Sequence, residues 1–126
     1  MAFVHADCEH IAVENPLGWM NTHYRPPDQI IHPYYFGDPY QKRTCLWLKG
    51  LPKLVPTDML PKPEPMYICK GEKCRGKPIN WCEGIRGSRS ERAKARSKTF
   101  PGIAKAMAKQ WTLAIIDEMI DRKETP

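Results

Sequence analysis

The sequence predicts a single α+β domain, and three observations support that fold class. Thr44–Leu48 is an almost continuous apolar run, which is typical of a strand covered on both faces. From residue 99 onward, apolar side chains recur at helical spacing. The 126 residues include 13 prolines, too many for a helical bundle, and the length suits one compact domain. We expect strands over 1–60, an insertion over 61–98 and a C-terminal helix over 99–122.

Short strands and turns are expected in the first region. Ile11–Val13 predicts a brief buried strand, which Asn15-Pro16 stops. The aromatic and β-branched segment Gln29–Phe36 predicts an edge or irregular strand, because Pro33 interrupts it. The run Thr44–Leu48 is the best strand of the chain.

The second region is irregular and then basic. Five prolines between Leu51 and Pro65 predict extended, irregular chain. Met66–Cys69 predicts a short strand. Gly71–Gly87 is interpreted as a glycine-containing basic loop, and Ser88–Lys98 as a strongly charged stretch.

The third region predicts one long helix. Thr99 is the expected N-cap, with Pro101 in the first turn. An apolar residue recurs every four positions, at Ile103, Met107, Trp111 and Ile115. Further apolar residues at Ile116, Met119 and Ile120 widen this stripe up to Arg122. A helix this apolar is expected to need a sheet or a partner to cover it.

Positive charge is concentrated in the second half of the chain. The formal net charge is +6; residues 1–60 hold five basic and six acidic side chains, and residues 61–126 hold fifteen and eight. Such a basic block favours a polyanion, of which nucleic acid is the commonest, although an acidic protein surface or plain solvation are alternatives. The candidate contact residues are Arg43, Arg75, Lys77, Arg86, Arg89, Arg92, Lys94 and Arg96.

The cysteine pattern suggests thiols or a metal rather than a disulfide framework. The chain has five cysteines, an odd number, and its first residues do not read as a secretion signal. Cys69, Cys74 and Cys82 form a candidate zinc set that Cys45 or a histidine would have to complete. Reduced loop cysteines are the alternative. We therefore expect a cytoplasmic protein, with no apolar run long enough for a membrane span.

Glu14 is the candidate chemical group of the first region. It follows the predicted strand Ile11–Val13, and a carboxyl group at such a strand end can protonate or hydrogen-bond a base. The alternative is a surface glutamate in a turn. The sequence contains no glycine-rich phosphate loop, nucleophile elbow or nucleotide fingerprint.

Several stretches in the same order resemble the C-terminal half of phage-type DNA cytosine-5 methyltransferase-like proteins. They are IAVENP (11–16), RPPDQ (25–29), PYYFGDP (33–39), KRTCLWLKGLP (42–52) and RSKTFPGIAKAMA (96–108). The resemblance implies that Glu14 and Asn15 match the Glu-Asn pair that contacts the target cytosine. Gln41–Thr44 matches the first half of a Gln-x-Arg-x-Arg strand, with Cys45 in place of the second arginine. Thr99–Met107 resembles the helix beside the S-adenosylmethionine pocket.

The same resemblance shows what is missing. The family's nucleophile is a cysteine directly after a proline, and none of the five cysteines here follows a proline. The glycine-rich cofactor loop and the acidic ribose contact are absent too. Methyl transfer needs the cofactor, the nucleophile and the acid in one pocket. We therefore expect no catalysis and no cofactor for the isolated chain, with S-adenosylmethionine bound only beside a complementing half.

The expected fold is thus a partial α/β methyltransferase-like sheet with a basic, cysteine-containing loop insertion and a long C-terminal helix. The expected function is binding of nucleic acid or a partner protein by a non-catalytic, phage-derived protein in a bacterial host. One alternative is an anti-CRISPR-like inhibitor that binds a bacterial defence nuclease. Another is a subunit that completes a split cytosine methyltransferase. A half sheet would expose an apolar edge, so a homo- or hetero-oligomer is expected.

Overall fold

A small antiparallel sheet organises the first half of the molecule. The computed structural model describes residues 6–16, 18–79 and 86–124. Strands β1 (Ile11–Pro16), β2 (Gln29–Ile31) and β3 (Thr44–Lys49) form a sheet in the order β1-β3-β2, with both pairings antiparallel. Together with the helices below, this sheet confirms the predicted α+β class.

The central strand β3 is covered on both faces, as predicted. Its residues Thr44, Cys45, Leu46 and Trp47 are all buried. Trp47 and Cys45 pack on one face against Met20 of helix α1 (Trp19–His23). Leu46 packs on the other face in the main core, which also contains Ile31, Phe36, Leu54, Ile103 and Ala106.

Strand β1 is longer and more exposed than predicted. Ala12 and Asn15 are exposed, and Ile11, Val13 and Glu14 are half-buried. The prediction of a buried strand that ends before Glu14 was therefore wrong. Within the described residues β1 pairs with β3 alone, so it is an edge strand, and edge strands keep one side in contact with solvent.

The segment around Pro33 confirms the predicted edge strand. β2 covers only Gln29–Ile31, and a single 3₁₀ turn, Pro33–Tyr35, follows it. Proline lacks the backbone N–H that a continuing ladder needs, which explains why the strand ends before it.

The proline-rich segment is extended, as predicted, and two glutamine side chains hold it in place. The Gln29 amide donates to the Leu54 carbonyl and accepts from its N–H, both at 2.7 Å. The Gln110 amide does the same with Val55, both at 2.8 Å. Each amide thus makes the bond pair that a neighbouring strand would make, and together they hold the Leu54 side chain in the core.

The insertion contains a hairpin and a second helix. β4 (Tyr67–Ile68) pairs with β5 (Pro78–Ile79), which places a short strand within the predicted 66–69 segment. Helix α2 (Arg89–Ser97) was not predicted. Its sequence lacks an apolar face, so hydrophobic periodicity could not indicate it.

The long C-terminal helix α3 (Pro101–Glu124) confirms the main helical prediction. It begins one residue later than a Thr99 cap requires. The Gly102 N–H is satisfied instead by the Asp38 carboxylate, at 2.9 Å, which lies far away in the sequence. None of the helices in the described ranges combines the length and the apolar character needed to cross a bilayer.

Candidate nucleic-acid interface

A local capping box, rather than contact with the core, starts helix α2. A capping box closes its N-terminus: the Glu91 N–H donates to Ser88 Oγ at 3.2 Å, and the Ser88 N–H donates to Glu91 Oε2 at 2.8 Å. No residue of the helix is buried. Local capping, rather than packing of an apolar face, therefore defines where this helix begins.

The side chains of α2 are mostly basic, and three arginines share one face. Arg89, Arg92 and Arg96 occupy positions i, i+3 and i+7, with Lys94 elsewhere on the helix. At 1.5 Å per residue this arginine stripe is about 10 Å long. The single acid of the helix, Glu91, is engaged in the cap. The predicted contact residues 89, 92, 94 and 96 are thus brought together on one element.

The other predicted contact residues lie on separate segments. Arg75 and Lys77 are exposed in the β4–β5 hairpin, and Arg86 is exposed just before α2. Arg43 is exposed directly before β3. Next to it, the Lys42 ammonium donates to the Lys98 carbonyl at 3.2 Å, which connects this segment to the chain just after α2.

The ion pairs among the described residues lie away from α2. Arg25 binds both carboxylate oxygens of Asp28, at 2.8 and 3.0 Å. Arg122 pairs with Glu9 and Glu118. Arg89 and Lys94, by contrast, make no ion pair with another described residue. The charges of Arg89 and Lys94 therefore remain available to a partner.

Glu14 faces a groove that is too small for the chemistry implied by the resemblance. It pairs with Leu46 in the register and lies on the α3 side of the sheet. The groove has a cavity volume of only about 10 Å³ and is lined by Glu14, Lys42, Thr44, Lys98, Thr99, Phe100 and Ile103. Small-molecule sites usually measure about 300–1,000 Å³. Asn15 pairs with Cys45 and is exposed, so Glu14 and Asn15 do not line one pocket.

A larger cleft, which the sequence did not indicate, lies on the opposite face of the sheet. Its cavity volume is about 160 Å³, and it is lined by Ile11, Tyr24, Arg25, Trp47, Leu48 and Lys49. The Arg25 guanidinium in this cleft is bound to Asp28, and the Trp47 Nε1–H donates to the Arg25 carbonyl at 2.9 Å. The polar groups at this cleft are therefore largely engaged within the chain.

The cysteines are arranged differently from the predicted zinc set. Cys69 Sγ is bonded to Cys74 Sγ across the turn of the β4–β5 hairpin, where the sequence predicted free thiols or a metal. Cys82 lies outside the described residues. Cys45 is buried in the sheet, and burial raises the pKa of its thiol, which disfavours the thiolate that zinc binds. Cys8 is exposed and donates to the His10 carbonyl.

A polar cluster connects the N-terminal segment to the end of α3. Ligand atoms of Glu9, His10 and Glu118 lie within 4.8 Å of one another. The Arg122 guanidinium donates to both carboxylates, at 3.1 and 2.8 Å, so a positive charge already occupies this site. The His10 ring, 2.7 Å from Glu118, lowers the pKa of that carboxyl. These residues are 108 positions apart, which is why no local motif indicated the cluster.

Comparison with known proteins identifies no relative of this chain. No protein-family model, no curated protein and no solved structure matches it. The resemblance to the methyltransferase-like proteins therefore depends on the ordered sequence blocks alone.

Proposed function

We propose that this chain binds nucleic acid, and that helix α2 supplies the main contacts to the phosphate backbone. The observation that carries the proposal is the arginine stripe of α2, in which Arg89 and Arg96 are exposed and Arg92 is half-buried, on a helix that has no fully buried residue. The capping box gives this helix a defined start independently of a hydrophobic core.

Because the stripe consists of arginines, a phosphate-binding role is favoured over that of a charged face that only contacts solvent. Arginine presents a planar fork of donors that matches phosphate oxygens, whereas a solvated face has no need of arginine in particular. Phosphates along one strand of a duplex rise by about 3.4 Å each. A stripe about 10 Å long therefore spans the axial rise of about three phosphates of one strand when α2 lies along the duplex axis.

The resemblance favours DNA as the polyanion and binding without catalysis. The ordered blocks resemble those of DNA-modifying proteins, and the chain lacks the proline-cysteine nucleophile of that family. The groove at Glu14, with a cavity volume of about 10 Å³, is too small to hold a flipped base or S-adenosylmethionine. We propose a methyltransferase-like protein that keeps contact with nucleic acid and leaves the transfer step to other chains.

Fluorescence anisotropy with labelled duplex and single-stranded DNA over a range of salt concentrations tests the proposal. The double variant Arg89→Gln/Arg96→Gln should bind more weakly, and the slope of log K against log salt should become shallower by about 1.8 on duplex DNA. The control variant Lys53→Gln/Lys62→Gln removes the same charge from two exposed positions of the proline-rich segment and should keep the wild-type slope.

Two results would contradict the proposal. If the wild-type chain binds neither form of DNA at low salt, α2 does not serve a nucleic acid, and an acidic protein surface becomes the better partner. If both double variants flatten the slope equally, the charge of the chain acts as a whole and α2 is not the contact element.

A further inference from the structure

The C-terminal half of α3 exposes an apolar stripe. Leu113, Ile116, Met119 and Ile120 are 52, 44, 53 and 47% exposed, whereas Ile103 and Ala106 in the first turns of the same helix are buried in the core. Together they present on the order of 300 Å² of apolar surface, the size at which exposed patches begin to mark interaction sites. No described residue covers this stripe.

The charges beside this stripe are arranged symmetrically and with opposite sign. Lys109 and Asp117 each lie four residues from Leu113, and Lys105 and Asp121 each lie eight residues from it. All five positions belong to one row of residues spaced by four, which is a surface ridge of a helix. The ridge is basic toward the N-terminus, apolar in the middle and acidic toward the C-terminus.

Such a ridge is complementary to a second copy of itself in the antiparallel direction. When ridges of this spacing pack into each other's grooves, the two rows lie side by side at a crossing angle of about −50°. With Leu113 on the two-fold axis, Lys109 of one copy lies beside Asp117 of the other, and the reverse contact forms by symmetry. A parallel pairing would place like charges together.

We propose that the chain forms an antiparallel homodimer through this ridge and the neighbouring apolar residues Ile116 and Ile120. The patch is smaller than the roughly 800 Å² per partner of a stable complex. The dimer is therefore weak and concentration-dependent, with a Kd on the order of 10 μM. This inference does not rest on the proposed function, because α2 takes no part in the contact.

Sedimentation velocity from low to high micromolar concentration tests the dimer. Lys109→Asp alone and Asp117→Lys alone each place like charges at both symmetric contacts and should raise Kd about tenfold or more. The double variant Lys109→Asp/Asp117→Lys exchanges the two charges and should restore the wild-type Kd. Lys53→Asp, an exposed change outside the ridge, should leave Kd unchanged.

Thermal unfolding of each variant shows whether a change in Kd reflects the interface rather than the fold. A wild-type chain that stays monomeric up to several hundred micromolar would overturn the proposal. A dimer whose Kd is not restored by the double variant would also overturn it, because restoration requires the antiparallel arrangement.

Discussion

Replacing Gly102 with alanine should destabilise the protein, although the same change usually stabilises a helix. Gly102 is the second residue of α3, where the helix passes very close to the chain around Phe36. A Cβ atom at this position would lie 2.1 Å from the Phe36 carbonyl oxygen and 2.8 Å from Asp38 Oδ2. The first contact is with backbone, which cannot rotate away, and the second is with the group that caps the helix.

The opposing effects can be compared. Alanine gains up to about 1 kcal/mol in helix propensity over glycine. Overpacking of a tight contact costs about 1–3 kcal/mol. Loss or distortion of the Asp38 cap costs about 0.5–2 kcal/mol more. The net loss is therefore about 0.5–4 kcal/mol with a midpoint of about 2 kcal/mol, and that midpoint corresponds to roughly 6–8 °C in Tm for a domain of this size.

Urea unfolding followed by circular dichroism, together with a thermal scan, measures this loss. Gly18→Ala is the matched control, because nothing lies within 4 Å of a Cβ at Gly18 and its φ of 166° is extended backbone. The control should change the free energy of unfolding by less than about 0.5 kcal/mol. A Gly102→Ala protein that is as stable as wild type, or more so, would show that α3 does not approach Phe36 this closely.

Two further predictions concern the half-buried ion pair of Arg25 with Asp28 and the cap of α2. The pKa of Asp28 is lowered from its ordinary value of 3.8, mainly by the hydrogen bonds from Arg25. The stabilisation that the Arg25–Asp28 pair contributes is therefore present above that value and is lost as pH falls below it. Asp28→Asn should lower the free energy of unfolding by on the order of 1 kcal/mol at neutral pH. In urea titrations this difference from wild type should disappear below about pH 4. Ser88→Ala removes the acceptor of the capping box and should destabilise α2 by about 1 kcal/mol, seen as faster amide exchange within 89–97 while α3 amides keep their rates.

The parts of the fold that were predicted correctly have strong local patterns. The apolar run of β3 indicated a strand covered on both faces, and Pro33 indicated where β2 ends. The four-residue recurrence after position 99 indicated α3. In each case the physical cause acts within a few residues: burial sets the periodicity, and proline removes a donor.

Helix α2 was missed although a local signal was present. Ser88 followed three residues later by Glu91 is a capping-box pattern, but no apolar run follows it. A helix of this kind buries nothing, so hydrophobic periodicity does not detect it. The sequence indicates the basic residues as candidates for contact, but that three arginines share one face follows only from the helix.

The sequence by itself determined the α+β class, the central strand, the long helix and the position of the excess positive charge. Each of these depends on composition or on spacing along a short stretch of chain. Only the tertiary structure shows that Gln29 and Gln110 hold the proline-rich segment, that Asp38 caps α3 and that Glu14 faces a small groove. The glutamine contacts and the Asp38 cap depend on which distant backbone groups lack a hydrogen-bond partner once the sheet and helix have packed. Polar side chains that lie close in the folded chain form hydrogen bonds to these backbone groups, and the spacing of residues along the sequence does not indicate which side chains they are.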